Sequence, residues 1–255
     1  MNPWSLSQAN YAEIKPLNID VAVLPWGACE PHNLHLPYGT DHITAGRIGE
    51  LVCERAWAQG ARVTMLPTIS YGVDTNLMHF PLAINMNPST QLAVLRDIVD
   101  SLATHDVRKL VVLNGHGGND FNAFQRELNR ADFFMALCNW WQVPGDVRSE
   151  IFDADGDHAD EMETSVGLHL FPELVAPLAQ ADDGAVRPSR FEAVREGWVK
   201  ISRPWHVLTT NTGVGDPHAA TAEKGQRFVE VAVDRISRFL VELAAAEMDE
   251  TFPLT

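Results

Sequence analysis

Arg108-Lys-Leu-Val-Val-Leu-Asn114, running directly into Gly115-His116-Gly117-Gly118-Asn119, is the most informative stretch of this 255-residue chain. Leu110 to Leu113 form an unbroken apolar run with no polar alternation, the pattern of a strand covered on both faces. The glycines end the run, and a helix is predicted over residues 119–131. A doubly covered strand that turns straight into a helix belongs to a parallel crossover unit. The same alternation continues outward on both sides. Residues 20–25 (DVAVLP), 62–67 (RVTMLP) and 133–141 (FFMALCNWW) read as strands. Residues 41–59 read as a helix capped by Asp41, and residues 88–105 as a helix with Asn87 as cap and Pro88 at its first position. A further helix is predicted over residues 160–171 and a long closing helix over residues 219–248. Residues 181–215, rich in Gly, Pro, Arg and Trp, read as long loops with room for a hairpin. Strands separated by helices predict a single α/β domain over residues 1–255, with a doubly wound, mostly parallel sheet flanked by helices.

Composition narrows the function. Lys and Arg total 19 against 34 Asp and Glu, a formal charge of −15, which argues against a nucleic-acid partner. The three cysteines (Cys29, Cys53 and Cys138) form no C-x-x-C pair, so neither a disulfide framework nor a zinc ribbon is expected. No stretch reaches the roughly 20 apolar residues of a membrane-spanning helix. Residues 1–15 show no basic region leading into an apolar core and do not read as a secretory signal, and the cysteine pattern leads to the expectation of a reducing cytoplasm.

In a doubly wound sheet, ligands bind beyond the carboxyl ends of the strands, and there the unusual residues of this chain collect. After the first strand come Cys29, Glu30, His32, His35 and Asp41; after the second, Tyr71, Asp74 and His79; after the third, His116; after the fourth, Trp140 and Trp141, then Asp157, His158, Asp160, Glu161 and Glu163. Glu30 and His32, two apart in an extended segment, share a face, and Asp41 can return to the same place. Two carboxylates and an imidazole suit Zn, Mn or Fe better than Ca or Mg. Against this stands the reading of Asp41 as a helix cap with Glu30 and His32 solvated. His116, flanked by glycines that let the backbone approach a ligand, is placed as a metal ligand; the turn is neither a dinucleotide fingerprint nor a P-loop. Asp160 and Glu161 are accounted for by the helix dipole, which explains His158 poorly. Glu163, three residues after Asp160 on the same helix face, is placed towards the sheet, where a buried carboxylate needs a cation or a partner. Cys29 reads as a small hydrophobe rather than a nucleophile.

Four segments together resemble the creatininase, or creatinine amidohydrolase, family: residues 24–45 (LPWGACEPHNLHLPYGTDHITA), 79–85 (HFPLAIN), 110–119 (LVVLNGHGGN) and 157–165 (DHADEMETS). In order and spacing they span over half the chain. The resemblance implies two divalent metal ions per chain, hydrolysis of a C–N bond in a cyclic or linear amide, and often a hexamer. It makes Glu30 and His116 ligands of one metal, His32 a ligand of the other, Asp41 the bridge, and His158 a proton shuttle or substrate contact. In creatininase itself a Tyr-Glu pair follows the glycine-rich turn's histidine and the Glu binds the second metal. Gly117 and Gly118 stand there in this chain, which leaves Glu163 or water to complete that site and argues against creatinine as substrate. The Gly-Gly form resembles the broader family, with its formamidopyrimidine deformylase, mycofactocin-maturation peptidases and inosose hydrolase.

The expected chemistry is attack by a metal-activated water on a carbonyl, with His158 or Glu163 protonating the leaving nitrogen. His79, Tyr71, Gly117, Gly118 and Trp140 or Trp141 are expected to contact a small amide or ring substrate. Trp26, Trp57, Trp198 and Trp205 are candidates for a subunit contact. Two rivals stand: the same metals opening a cyclic ketone or inosose-type ring, and a metal- or anion-binding module without catalysis.

Overall fold

A computed structural model describes residues 2–254. Its sheet has four strands, β1 (Val21–Trp26), β2 (Val63–Met65), β3 (Lys109–Asn114) and β4 (Phe134–Asn139), in the order β2-β1-β3-β4 with every pairing parallel. Nine α-helices surround it among the described residues: α1 (Tyr11–Ile14), α2 (Thr40–Ala58), α3 (Pro88–Thr104), α4 (Asn122–Glu127), α5 (Arg148–Ile151), α6 (Glu161–Leu170), α7 (Glu192–Arg195), α8 (Trp205–Leu208) and α9 (Ala222–Ala245). The expected α/β fold is therefore present, with a wholly parallel sheet.

Side chains alternate across the two central strands, and both faces are covered. Val21, Val23, Val111 and Leu113 pack with residues of α2, α6 and α9. Ala22, Leu24, Trp26, Leu110 and Val112 pack with residues of α3 and α4 on the other face. This two-sided burial is why β1 and β3 read as continuous apolar runs. Helix α9 buries Phe228, Val229, Ala232, Val233, Ile236, Leu240 and Leu243, a stripe three and four residues apart that lies against the core. Its first turn is capped by Thr221, whose hydroxyl accepts the Lys224 N–H.

Several predicted elements change at their ends. The helix expected over residues 119–131 is reduced to α4, because the Asn119 side chain bonds elsewhere and Asp120 accepts the Asn122 N–H. The fourth strand stops at Asn139, and Trp140–Gln142 form a 3-10 turn. Residues 181–215 hold short helical turns, with Val214 bridged to His158 rather than to a hairpin partner. Trp26 and Trp205 are buried within the chain, and the exposed Trp198 alone of the four candidate interface tryptophans stands clear of it. No helix among the described residues is long and apolar enough to cross a membrane.

Because β1 continues to β2 on one side and is paired with β3 on the other, the loops leaving β1 and β3 diverge, opening a crevice beyond their carboxyl ends. The chain between β2 and α3 arches over it, tied down by the bridge of Cys29 with Ile84 and closed on itself by that of Gly72 with Asn85.

Candidate metal centre

Glu30, His32, Asp41, His116, His158 and Glu163 converge in this crevice from five separate segments. Glu30 and His32 follow β1, and His116 follows β3. Asp41 lies in the first turn of α2, Glu163 in the first turn of α6, and His158 just before α6. All but Glu163 are buried, and Glu163 is 19% exposed. Asp41 is not the cap of its helix: Gly39 occupies that position, with no side-chain cap bond. The Asp41 carboxylate instead spans the two histidines. Its Oδ1 is 3.0 Å from His32 Nε2 and its Oδ2 is 3.0 Å from His116 Nδ1. Glu30 Oε1 is 3.1 Å from His116 Nδ1 and 3.6 Å from His158 Nδ1, and Glu163 Oε2 is 4.0 Å from His32 Nε2. The His32 and His158 rings lie 4.2 Å apart.

Each histidine is aimed by its outer nitrogen. His32 Nδ1 is 3.0 Å from the Glu30 carbonyl, His158 Nε2 is 3.0 Å from the Pro31 carbonyl, and His116 Nε2 is 3.2 Å from the Val73 carbonyl. In the neutral rings that a metal ion requires, an N–H donated outward leaves the inner nitrogen as an acceptor, and this assigns the ligand tautomers. The glycine-rich turn is held by its two asparagines. Asn114 accepts the His116 N–H and donates to the His116 carbonyl. Asn119 donates to Asn114 and the Gly27 carbonyl while accepting from Val73 N–H and Gln91. One amide side chain thus joins β1, β3, α3 and the arch. A Cβ at Gly118 would collide with His116 Nε2 and the Val73 carbonyl, so the Glu that creatininase carries at this place has no room here. On α6, Asp160 accepts the Glu163 N–H and is paired with Arg148 at 2.8 Å, while Glu163 Oε2 accepts the Ala159 N–H at 2.6 Å. Ala159 and Asn33 hold left-handed backbone (φ 49° and 54°), strain that residues other than glycine keep only where surrounding contacts enforce it.

The charge pattern is unbalanced. Burial pushes the Glu30 carboxyl up to about 7 against the pull of His116, and pushes Glu163 up to about 8 against that of His32. Burial opposes charge on His32, but Asp41, Glu163 and Glu30 outweigh it and lift the ring to about 10. Burial also works against ionised Asp41, yet His32 and His116 hold it well below the usual carboxylate range. Burial and the neighbouring His32 keep His158 well below the ordinary histidine range. Glu30 Oε2, Asp41 Oδ2 and both oxygens of Asp74 are buried without an aligned hydrogen bond. Carboxylates crowded this way need cations. Ligand atoms about 2.0–2.2 Å from a common ion lie roughly 3 Å or a little more from one another, as Asp41 does from His32 and His116 and Glu30 from His116. The groups Glu30–Asp74–His116, His32–Asp41–Glu163 and Glu30–His32–His158 each bring three donor atoms within 4.8 Å of one another. Mixed imidazole and carboxylate donors fit Zn, Mn or Fe.

A cavity of about 130 Å³ opens onto the cluster, lined by Glu30, Asp41, His116, Gly117, Gly118, His158 and Glu163 and, at its mouth, by Asn76, Asp157, Arg203 and Trp205. Arg203 is paired with Asp157 and lies 4.8 Å from the Trp205 ring centre. The other predicted substrate contacts lie off this cavity. Trp140 packs in the core against Phe228, behind Asp41 and Glu163, with Trp141 beside it. Tyr71 is exposed and engaged through its carbonyl by Trp26 Nε1–H, and His79 stacks on His206 at 3.6 Å. The contribution of Asn76 and Arg203 has no local signal in the sequence, because both sit in irregular segments without periodicity, and Trp205 opens α8, a single turn too short to show a helical period.

The family model Creatininase, described as creatinine amidohydrolase, matches residues 7–240. A mycofactocin precursor peptide peptidase of Mycobacterium ulcerans (strain Agy99) is 32% identical over 223 residues, 85% of this chain and 83% of that protein. Creatinine amidohydrolase of Pseudomonas putida is 26% identical over 238 residues, 85% and 87% of the two chains. A crystal structure of a Bacteroides fragilis protein named for creatinine amidohydrolase superposes with a TM-score of 0.92 at 40% identity, covering 98% of this chain and all of that one. Two creatininase structures share the fold at 24% identity, a variant of Zn–Zn type (TM-score 0.76) and a manganese form (0.74), over 95% of this chain and 98% and 99% of the other, respectively. The family match spans the whole cluster, from Glu30 to Glu163, and the chain belongs to the creatininase family.

Proposed function

We propose that this creatininase-family hydrolase cleaves a C–N bond of a small amide at a centre of two divalent ions. Glu30, Asp41 and His116 would hold one ion, and His32, Asp41 and Glu163 the other. The observation that carries the reading is the division of Asp41, one oxygen to each histidine at 3.0 Å. Bound ions supply an activated water at neutral pH and polarise a carbonyl. The manganese and Zn–Zn forms of creatininase support those metals here.

The residues of the chain do the rest. His158 donates outward to Pro31, which leaves Nδ1 beside Glu30 as a neutral base facing the cavity. It takes a proton at Nδ1 and passes it to the leaving nitrogen, a contribution of about 10²- to 10⁴-fold. Glu163, held by the Ala159 N–H, is the second group able to carry that proton. Arg203 and Asp157 orient the polar end of the substrate at the mouth, while Gly117, whose Cβ position meets nothing within 4 Å, leaves space for its body. A cavity of about 130 Å³ is close to the ~150 Å³ that takes one benzene. It therefore admits a small substrate or the end of a longer one. The resemblance adds a homohexamer, which sedimentation tests.

The test is a screen of formamides, lactams, short peptides and ketocyclitols against protein whose metal content has been measured. Release of an amine or acid from an amide, lost in Asp41→Ala, supports the proposal. Ring opening of a ketocyclitol alone would replace it with the ring-opening reading, and metal uptake without any turnover with the binding-module reading.

A further inference from the structure

Asp74 is fully buried, and neither of its carboxylate oxygens has an aligned hydrogen bond. A carboxylate removed from water keeps its charge only beside a cation or a donor. Among the described residues, the one basic side-chain nitrogen within ion-pair distance is His116 Nε2, 3.2 Å from Asp74 Oδ1. The arch holds the carboxylate there. Asp74 N–H donates to Asn85 Oδ1, and the preceding Val73 N–H donates to Asn119 Oδ1. On its other side the His116 ring presents Nδ1 to Glu30 Oε1 at 3.1 Å and Asp41 Oδ2 at 3.0 Å. His32 and His158 are aimed by backbone carbonyls alone. His116 has the Val73 carbonyl and a carboxylate besides.

We propose that Asp74 is a positioning residue for His116. It holds the ring proton on Nε2, so that Nδ1 turns its lone pair into the Glu30–Asp41 cleft, and it makes that nitrogen a stronger donor to a divalent ion. The inference rests on the metal reading above. Its physical basis is that an ion drawing electrons from Nδ1 leaves the Nε2–H more acidic, and an adjacent carboxylate stabilises that polarised ring. Such outer carboxylates typically contribute 10- to 100-fold in metal affinity.

The test compares wild type, Asp74→Asn, Asp74→Ser and His116→Ala, each stripped of metal and titrated with Zn²⁺ against a competing chelating dye. Melting of the metal-free proteins reports the fold, and ¹⁵N spectra of the histidine rings report which nitrogen carries the proton. The expected result is a 10- to 100-fold weaker affinity for both Asp74 variants, with the metal-free melting temperature preserved and the His116 proton no longer confined to Nε2. Wild-type affinity in either folded variant, with the proton still on Nε2, overturns the inference and leaves the Val73 carbonyl as the group that aims the ring. If both variants fail to fold, the wild-type Zn²⁺ spectrum decides: an outer nitrogen of His116 shifted further towards imidazolate character than that of His32, which meets a backbone carbonyl alone, supports the inference, and equal shifts overturn it. Wild type that binds no ion, or binds it equally after His116→Ala, overturns the metal reading itself and this inference with it. The two failures are thereby told apart.

Discussion

His35 sits three residues beyond His32, is 1% exposed, and has its Nε2 2.7 Å from the hydroxyl of Thr164, the neighbour of Glu163. It therefore joins the loop carrying Glu30 and His32 to the helix carrying Glu163. Burial, reinforced by the charge on His32, pushes its pKa down to about 4. At pH 7.5 the ring is neutral in both folded and unfolded chains and costs nothing. As pH falls below the ordinary value of about 6.5, the unfolded chain binds a proton that the folded one refuses, so stability is lost until the folded ring itself titrates near 4. The gap corresponds to about 3 kcal/mol in full, of which about 2 kcal/mol is lost by pH 5. Glu30 and Glu163, whose pKa values are raised, act with the opposite sign, because acid relieves their buried charge. The His35 contribution is isolated by comparison with His35→Gln. Urea unfolding in chelator at pH 7.5 and pH 5 should show the stability difference between wild type and variant shrinking by about 2 kcal/mol at the lower pH. Equal pH dependence in the two proteins would refute the reasoning and place a freely titrating ring at that position.

Asp41→Ala should remove both ions while His32→Ala removes one, since Asp41 gives each histidine its own oxygen at 3.0 Å; elemental analysis per chain, read beside kcat, checks the order. Gly118→Ala should destabilise the fold by about 1–3 kcal/mol and reduce metal uptake, because its Cβ would strike the Val73 backbone and His116, whereas Gly117→Ala should unfold like wild type. Urea titrations of the two variants make the comparison. Chelation should lower the melting temperature reversibly, with Zn²⁺ or Mn²⁺ at 100 times its Kd restoring about 2.7 kcal/mol; a melting temperature indifferent to metal would count against a site formed by the buried carboxylates.

The legible parts of the molecule are those where one physical demand dominates. Leu110 to Leu113 announce a strand because burial on both faces excludes polar residues from it. Glu30 and His32 point together because residues two apart in extended chain must. Ends are harder, since side chains there compete with backbone geometry. Asn119 looks like the start of a helix but joins four segments through its amide, so α4 begins three residues later. Asp41 looks like a cap but turns its carboxylate to His32 and His116. The Trp140 and Trp141 pair illustrates the converse: their place after a strand suggested a ligand contact, and the turn at Asn139 sends Trp140 into the core instead. Asp74 stands out in the sequence as a carboxylate past the second strand, but nothing there marks His116 as its partner. Arg203 and Trp205 reach the site from irregular chain and a single helical turn, where neither period nor spacing carries information about direction.

The same contrast explains why the site survives with so much unbalanced charge. Four carboxylates (Glu30, Asp41, Asp74 and Glu163) face His32 and His116, while His158 is kept neutral by its surroundings. Left alone, such a cluster would favour opening of the loops that carry it, because hydration of the carboxylates is lost on closing. Those loops are instead fastened to rigid elements by groups outside the cluster. Asn119 fixes the turn after β3 to the loop after β1, Arg148 fixes Asp160 at the start of α6, and Thr164 meets His35. The cost of assembling the acidic crevice is thus met by packing and hydrogen bonds beyond it, and a divalent ion then enters donors already gathered rather than gathering them. That order of events means the metal-free protein keeps its fold, with the ion adding stability at the crevice rather than creating the structure.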